Sequence, residues 1–244
     1  MNPTEDAQEK LILAMETSGD VCSVAILRGS RFVSEHSFVH GMHLSERLME
    51  HIDALLQDAE ATREALDVFA VGIGPGSFTG TRIGVMTVKT FAAVTGKPAV
   101  GVSGLDAIAT EYTGLADTVV VPLLPCRAGF VYACPFRVEE ARPERLLEPV
   151  AFSIEDLITQ LQSFYPSHLL FCGPAAARYK ETLQSAFQAG EITLSFGTAQ
   201  FPRASRIAVL AYRRLIDGSP PDDPLELVPL YLSPPPISQP KPLR

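Results

Sequence analysis

Runs of apolar residues divide the first half of the chain into alternating strands and helices. Residues 11–15 are a short unbroken apolar run, the signature of a buried strand, and Glu16-Thr17-Ser18-Gly19-Asp20 is an oxygen-rich turn. Residues 21–27 and 32–38 read as two more strands, joined by the hairpin turn Arg28-Gly29-Ser30-Arg31. Leu44, Leu48, Ile52, Leu55, Leu56 and Ala59 then recur at spacings of three and four, which predicts a helix over 43–59. A strand over 67–73 leads into a glycine-rich loop and a helix over 81–95. That helix carries Ile83, Val85, Met86, Val88, Phe91, Ala92, Ala93 and Val94, so it is apolar nearly all the way round. Such a helix is covered on more than one side, by its own fold or by a partner. A strand over 99–102 and a short helix over 105–112 close this unit.

A second unit begins near Gly114. Strands are predicted over 119–124, 130–135 and 146–152, then a helix over 154–164, a strand over 168–172, and helices over 175–187 and 203–216. Ser153-Ile154-Glu155-Asp156 resembles a capping box, with Asp in the place of Glu or Gln. One pattern therefore occurs twice: three strands, then helix, strand, helix. Two α/β lobes with mixed sheets are expected. The division is an extension over 1–9, an amino-terminal lobe over 10–113 and a carboxy-terminal lobe over 114–202. A helix and strand over 203–232 return to the lobes, and a proline-rich tail over 233–244 is expected to be disordered.

The chain has 244 residues, 46% hydrophobic and 20% charged, which suits a globular core in one large domain or two small ones. Its formal net charge of −8 argues against strong nucleic-acid binding by the chain alone. No run approaches the ~18 apolar residues of a membrane span, and the run over 11–15 is too short for a signal-peptide core. Cys22, Cys126, Cys134 and Cys172 are widely spaced and read as buried thiols, so a cytoplasmic location is expected.

Chemistry is sparse. Gly72-Ile73-Gly74-Pro75-Gly76-Ser77-Phe78-Thr79-Gly80-Thr81-Arg82 is placed where a phosphate loop would be, between strand and helix. A phosphate loop needs a second glycine at Thr79 and a lysine directly after it, and has neither. A dinucleotide fingerprint also lacks its third glycine there, and an acid about 20 residues on. The spacing favours a tight turn with close helix packing, capped by Ser77 or Thr79. His40-Gly41-Met42-His43 is a His-x-x-His pair without a third ligand, and His43 and His51 lie two turns apart. Glu16 and Asp20 bracket the first turn, where phosphate-transfer folds place a magnesium ion and where any hairpin places a polar residue. Ser77 and Ser103 lack the Gly-x-Ser-x-Gly setting of a nucleophile. Arg127-Ala128-Gly129-Phe130 reads as a hairpin with an aromatic edge.

Met15-Glu16-Thr17-Ser18 with Cys22-Ser23-Val24-Ala25, His43-Leu44-Ser45-Glu46-Arg47-Leu48, the stretch Gly74 to Gly84, and Gly101-Val102-Ser103-Gly104-Leu105 together resemble the TsaB (YeaZ) family. The likeness covers residues 10–112 closely. Beyond them it is carried by Arg127, Gly129, Val131-Tyr132 and Pro229-Leu230-Tyr231-Leu232. The resemblance implies a two-lobe actin-like, sugar-kinase-like (ASKHA, ribonuclease H-like) α/β fold with duplicated mixed-sheet lobes. It implies a non-catalytic scaffold that binds and activates the TsaD threonylcarbamoyltransferase, which forms N6-threonylcarbamoyladenosine at tRNA position 37. TsaD and the ATPase subunit TsaE are the implied partners, with a homodimer in the absence of TsaD. Transfer RNA is met only through the complex, and ATP and metal belong to the partner subunits. The metal-binding histidines of TsaD fall on Gly104 and Ile108 here, so no catalytic or metal-ligating residue is expected in this chain.

In that family the helices matching 43–59 and 81–95 pair with the same helices of the partner. The implied interface is His43, Leu44, Arg47, Leu48, His51, Arg82, Val85, Met86 and Lys89, and an aspartate at Val85 or Val88, whichever faces outward, is expected to break it. The glycine loop is Gly74, Pro75, Gly76, Ser77, Phe78, Thr79 and Gly80, and a weak nucleotide contact would use Glu16 and Ser18. Two departures stand out: Glu16 replaces the usual Asp, and Pro125-Cys126-Arg127 with Phe130 replaces Asp-Ala-Arg and a Glu. The alternative reading is an ATP-dependent small-molecule kinase of the same fold.

Overall fold

The computed structural model describes residues 10–39, 43–139, 142–164, 166–188 and 192–233. The extension over 1–9, His40, Met42 and the tail beyond Ser233 lie outside the described residues. The amino-terminal lobe is built from β1 (Leu11–Glu16), β2 (Val21–Arg28), β3 (Arg31–Val39), α1 (Leu44–Asp58), β4 (Val68–Gly72), α2 (Phe78–Thr95) and β5 (Ala99–Val102). Helix α3 (Gly104–Ala109) leads into the second lobe. There follow β6 (Thr118–Pro125), β7 (Phe130–Ala133), β8 (Phe136–Arg137), β9 (Glu144–Arg145) and β10 (Val150–Ser153). Helix α4 (Ile154–Ser163), β11 (His168–Cys172), α5 (Lys180–Phe187), β12 (Thr193–Phe196) and α6 (Ala204–Ile216) complete it.

The first sheet runs β3-β2-β1-β4-β5 and the second β10-β7-β6-β11-β12, with the β8–β9 hairpin attached to β6. Within each, the first three strands are antiparallel and the rest join in parallel. The duplication read from the sequence is therefore a repeat of strand order. Alternation along β1 sends Leu11, Leu13 and Met15 to one face, where Leu48, Ile52, Val85 and Val88 from α1 and α2 meet them. Ile12 and Ala14 go to the other face, against Ala204, Ile207, Ala208 and Ala211 of α6. In the second lobe α4 and α5 cover one face, and Leu105 and Ile108 of α3 the other. Helices α3 and α6 thus change places: each packs on the sheet that the other follows or precedes in the chain.

Several boundaries differ from expectation. Helix α2 begins at Phe78 rather than 81, because Ser77 caps it: its Oγ accepts from the Gly80 N–H at 3.2 Å. Ser153 caps α4 as the box predicts, accepting from the Asp156 N–H at 3.1 Å. The strand expected over 146–152 occupies Val150–Ser153 only, while Glu144–Arg145 turns back onto Phe136–Arg137. The helix expected over 175–187 is split into a 3-10 turn, Ala177–Tyr179, and α5. Strand β12 was not anticipated.

Between α6 and Ser233, the described residues form no strand of their own. This stretch makes a single bridge from Asp222 to Ala99, and Asp222 Oδ2 accepts from the Gly101 N–H at 2.7 Å, which covers the open edge of β5. Leu227 enters the first core, the Leu230 N–H donates to the Ile73 carbonyl at 2.8 Å, and Ser233 bonds Tyr132 of β7 at 2.5 Å. The segment straps the two lobes together. Among the described residues no helix is long and apolar enough to cross a membrane.

Candidate functional site

The glycines of the loop are filled by the protein's own backbone. The Ser77 N–H donates to the Ser18 carbonyl at 2.6 Å, and Thr17 Oγ1 donates to the Gly80 carbonyl at 2.8 Å. A Cβ on Gly76 would lie closer than 3.0 Å to the Ser18 carbonyl oxygen, one on Gly80 equally close to that of Thr17, and one on Gly84 to Thr17 Oγ1. Three glycines at a spacing of four let α2 sit directly on the β1–β2 turn. The glycines are taken up by this close approach of backbone to backbone, which is the tight turn with close helix packing that the spacing favours.

Glu16, at the end of β1, is fully buried. Its Oε1 accepts from the Ser18 N–H at 2.6 Å, whereas Oε2 has no hydrogen-bond partner. The carboxyl occupies the space left by Gly72, where any Cβ would collide with it. Burial pushes its pKa above the ordinary carboxylate range, against the lowering effect of the Ser18 bonds. Between the ordinary glutamate value and the raised native one, the native state therefore favours a protonated Glu16 relative to the unfolded chain. Stability should fall as pH rises from the ordinary glutamate value to the raised native one, then level off. Urea unfolding between about pH 4 and 8 should show this slope, and Glu16→Gln should flatten it; an unchanged profile would mean that Glu16 is ionised in the native state.

Ser18 lines a cleft of about 340 Å³ between the lobes, with Gly19, Asp20, Pro75, Gly76 and Ser77 on one side and Leu124, Pro125, Pro174, Gln200 and Pro202 on the other. Glu16 is not on its wall. Among the residues that line it, Asp20 is the one charged side chain and none is a cation. A polyphosphate there would face a carboxylate with no lysine or arginine to offset it.

The residues expected at a helical interface divide into three groups. Leu44, Leu48 and Val85 are buried in the core of their own lobe, as is Val88 at 0% exposure; the expectation that Val85 or Val88 faces a partner is corrected. The outward stripe of α2 runs through Thr79, Arg82, Met86, Thr90 and Ala93, with Met86 at 58% and Val94 at 81% exposure. Arg82 and Lys89 are held by the carboxy-terminal strap. Arg82 Nε donates to the Tyr231 hydroxyl at 2.8 Å while its guanidinium lies 3.7 Å from the centre of the Phe78 ring. Lys89 Nζ donates to the carbonyls of Leu225 and Leu227 at 2.9 and 3.1 Å. Arg82, Met86 and Lys89 fall on one side at a spacing of four and three, so Met86 sits beside the strap, whose Leu225, Val228 and Tyr231 are also exposed. The sequence reading missed these three as surface residues, although it noted the Pro229–Leu232 motif.

Helix α1 offers a polar outer side. His43 is exposed, 3.5 Å from Glu46. His51 stacks on Phe38 at 3.9 Å, and burial, with Arg47 and His36 nearby, lowers its pKa. Arg127 lies over the Phe130 ring at 4.1 Å, so the departures at Pro125 and Phe130 make an aromatic hairpin rather than a carboxylate site. Cys22, Cys134 and Cys172 are buried and unpaired, and burial pushes the first two thiols up to about 12. Among the described residues no cluster of three or more His, Cys, Asp or Glu could hold a metal ion.

The model of the family described as TsaD, tRNA N6-adenosine threonylcarbamoyltransferase, matches residues 39–234. The Bacillus subtilis tRNA threonylcarbamoyladenosine biosynthesis protein TsaB is 29% identical over 202 residues, 82% of this chain and 86% of that protein. Its Haemophilus influenzae counterpart is 26% identical over 77% of this chain and 81% of that one. The structure of YeaZ from Pseudomonas aeruginosa superposes with a TM-score of 0.76 at 23% identity, over 91% of this chain and 100% of that one. A second structure, described as an uncharacterized protein with similarity to peptidase YEAZ from the same organism, reaches 0.78 over 92% of this chain. The fold is that of these YeaZ structures: two α/β lobes whose mixed sheets share one strand order.

Proposed function

Because the chain belongs to the TsaD threonylcarbamoyltransferase family and, within it, to the TsaB (YeaZ) group, we propose that it acts in tRNA threonylcarbamoyladenosine biosynthesis as a scaffold without catalysis of its own. In this reading it binds a TsaD subunit through the outer sides of α1 and α2 and activates threonylcarbamoyl transfer, with TsaE docking on the pair. Without TsaD, a second copy takes that place. Nucleotide, metal and tRNA are handled by the partners.

The observation that carries this reading is on the outward side of α2: Met86 and Val94 stand exposed among Thr79, Arg82 and Thr90 after the lobe core is complete, next to the exposed Leu225, Val228 and Tyr231 of the strap. The cleft adds support, since its wall opposes a polyphosphate, and the loop glycines that a kinase would use are taken up by Thr17 and Ser18. A standard interface buries about 800 Å² per partner, within the reach of two helices of this length.

Met86→Asp should leave the melting transition of the isolated chain unchanged, because the side chain is already mostly in water. It should weaken binding to purified TsaD by about 100-fold, the effect of placing an unpaired charge in a dry interface. Titration calorimetry reads the affinity, and light scattering after size exclusion reads the oligomer. Wild-type affinity in this variant would remove α2 from the interface. Transfer to tRNA by TsaD and TsaE, with and without this chain, tests activation separately.

A further inference from the structure

On the face away from the interlobe cleft, a cavity of about 470 Å³ lies between β5, α3, α6 and the turn before β9. Its wall carries Arg142, Arg145 and Arg214 against a single carboxylate, Asp106, with Val102, Pro143 and Leu210 as the apolar part. Each of the three guanidiniums also faces a carboxylate, Arg142 facing Asp217, Arg145 facing Asp106 and Glu148, and Arg214 facing Asp222, so what the hollow offers is unused N–H edges and not an excess of charge.

Two of the three are held rigidly. Arg145 donates from Nε and Nη2 to Asp106 at 2.9 and 2.5 Å, and its Nη1 stands 3.6 Å from the exposed Glu148. Arg214 donates from Nη1 and Nη2 to Asp222, both at 2.9 Å. Each clamp fixes the orientation of a guanidinium without using all of its five N–H groups. These pairs also have a structural duty, joining β9 to α3 and α6 to the strap. Arg142 has no comparable duty. Its contact with Asp217 is 3.5 Å long between two largely exposed side chains, which is worth little. On the neighbouring turn of α6, Arg213 is held below the ordinary arginine range by burial first and then by Arg206, with Asp217 acting against this and Arg142 adding to it.

We propose that this cavity binds the phosphate group of a small phosphate monoester, with Arg142 as the mobile ligand and the fixed edges of Arg145 and Arg214 as the seat. Guanidinium forks match phosphate oxygens, and two pre-oriented forks lower the ordering cost of binding. The cavity has the size of a small-molecule site and does not suit a polymer, and Val102, Pro143 and Leu210 give the rest of the ligand an apolar wall.

The test uses the full chain, with inorganic phosphate, ribose 5-phosphate and 5′-AMP as probes, titrated by calorimetry at low and moderate salt. At least one probe should bind in the millimolar range or tighter, and more weakly as salt rises. Arg142→Ala should reduce that affinity about tenfold, the usual loss for one charge-assisted contact. Arg145→Lys, which keeps the charge and loses the fork, should weaken the same probe. Gln200→Ala in the interlobe cleft should change nothing. Phosphate alone binding as well as 5′-AMP would restrict the site to the phosphate group, whereas tighter 5′-AMP binding would add the apolar wall; both support the proposal. No binding of any probe, affinity unchanged in both arginine variants, or loss in Gln200→Ala instead overturns it.

Discussion

Val88→Asp should abolish the cooperative unfolding transition of the amino-terminal lobe and drive the protein into the insoluble fraction. Val88 has no exposed surface and packs among the β1 and β4 side chains beneath α2. An aspartate there is a buried carboxylate with no cation to pair with, at a cost of about 3–5 kcal/mol. The lost valine packing adds to this, against a total stability of about 5–15 kcal/mol. Met86→Asp, two positions earlier on the same helix, should fold normally. The pair therefore separates core from surface on one helix, by far-UV circular dichroism and thermal melting. A folded Val88→Asp would mean that α2 is rotated on the sheet relative to this structure.

Gly80→Ala should also be severe, and in the opposite sense from helix propensity. Alanine in the first turn of α2 should gain roughly 1 kcal/mol over glycine. The added methyl, however, points at the Thr17 carbonyl oxygen from closer than 3.0 Å. That oxygen belongs to a backbone at the end of a central strand, so neither partner can yield without moving a helix off the sheet. Overpacking of this kind costs about 1–3 kcal/mol or more, and sterics should win. Gly84→Ala offers an internal check, because its methyl meets Thr17 Oγ1, a side-chain atom. Thr17→Ala should then relieve Gly84→Ala and not Gly80→Ala, a difference that a double-mutant cycle in urea reads directly. Equal relief at both positions would contradict the backbone contact.

The elements of the first lobe were within reach of the sequence because β1 and β4 are continuous apolar runs, β2 is interrupted only by Ser23, and the turn residues after β1 and β2 are chemically distinct; the spatial order of the strands was not. The second lobe was harder. Residues 144–153 contain apolar residues at Leu146, Leu147, Val150 and Phe152, which read as one strand. In the structure Arg145 is turned toward Asp106 and the strand begins only at Val150. Strand β12 is four residues long and partly exposed, too short for alternation to show.

The candidate site divides in the same way. That the glycine loop marks a close approach was legible; that the approaching group is Thr17-Ser18 was not, since those residues are distant in sequence. The excess of apolar surface on α2 was legible, but a helix apolar on all sides has no single stripe in its periodicity. Which of Val85, Met86 and Val88 faces outward is decided by the position of the sheet. The arginines of the second cavity come from two segments far apart in the chain, Arg142 with Arg145 and Arg214 on α6, and carried no local signal.

The strap from Asp222 to Ser233 bears on how this molecule is made. During vectorial synthesis both lobes can leave the ribosome before the residues that cover β5 and reach β7 have been translated. Until Asp222 and Leu230 emerge, the edge of β5 lacks the residues that cover it. The lobes are tied meanwhile by α3 and α6 rather than by the strap. A chain ending before Asp222 would leave the edge of β5 open to pairing with another strand, so these residues guard against aggregation as well as tying the lobes.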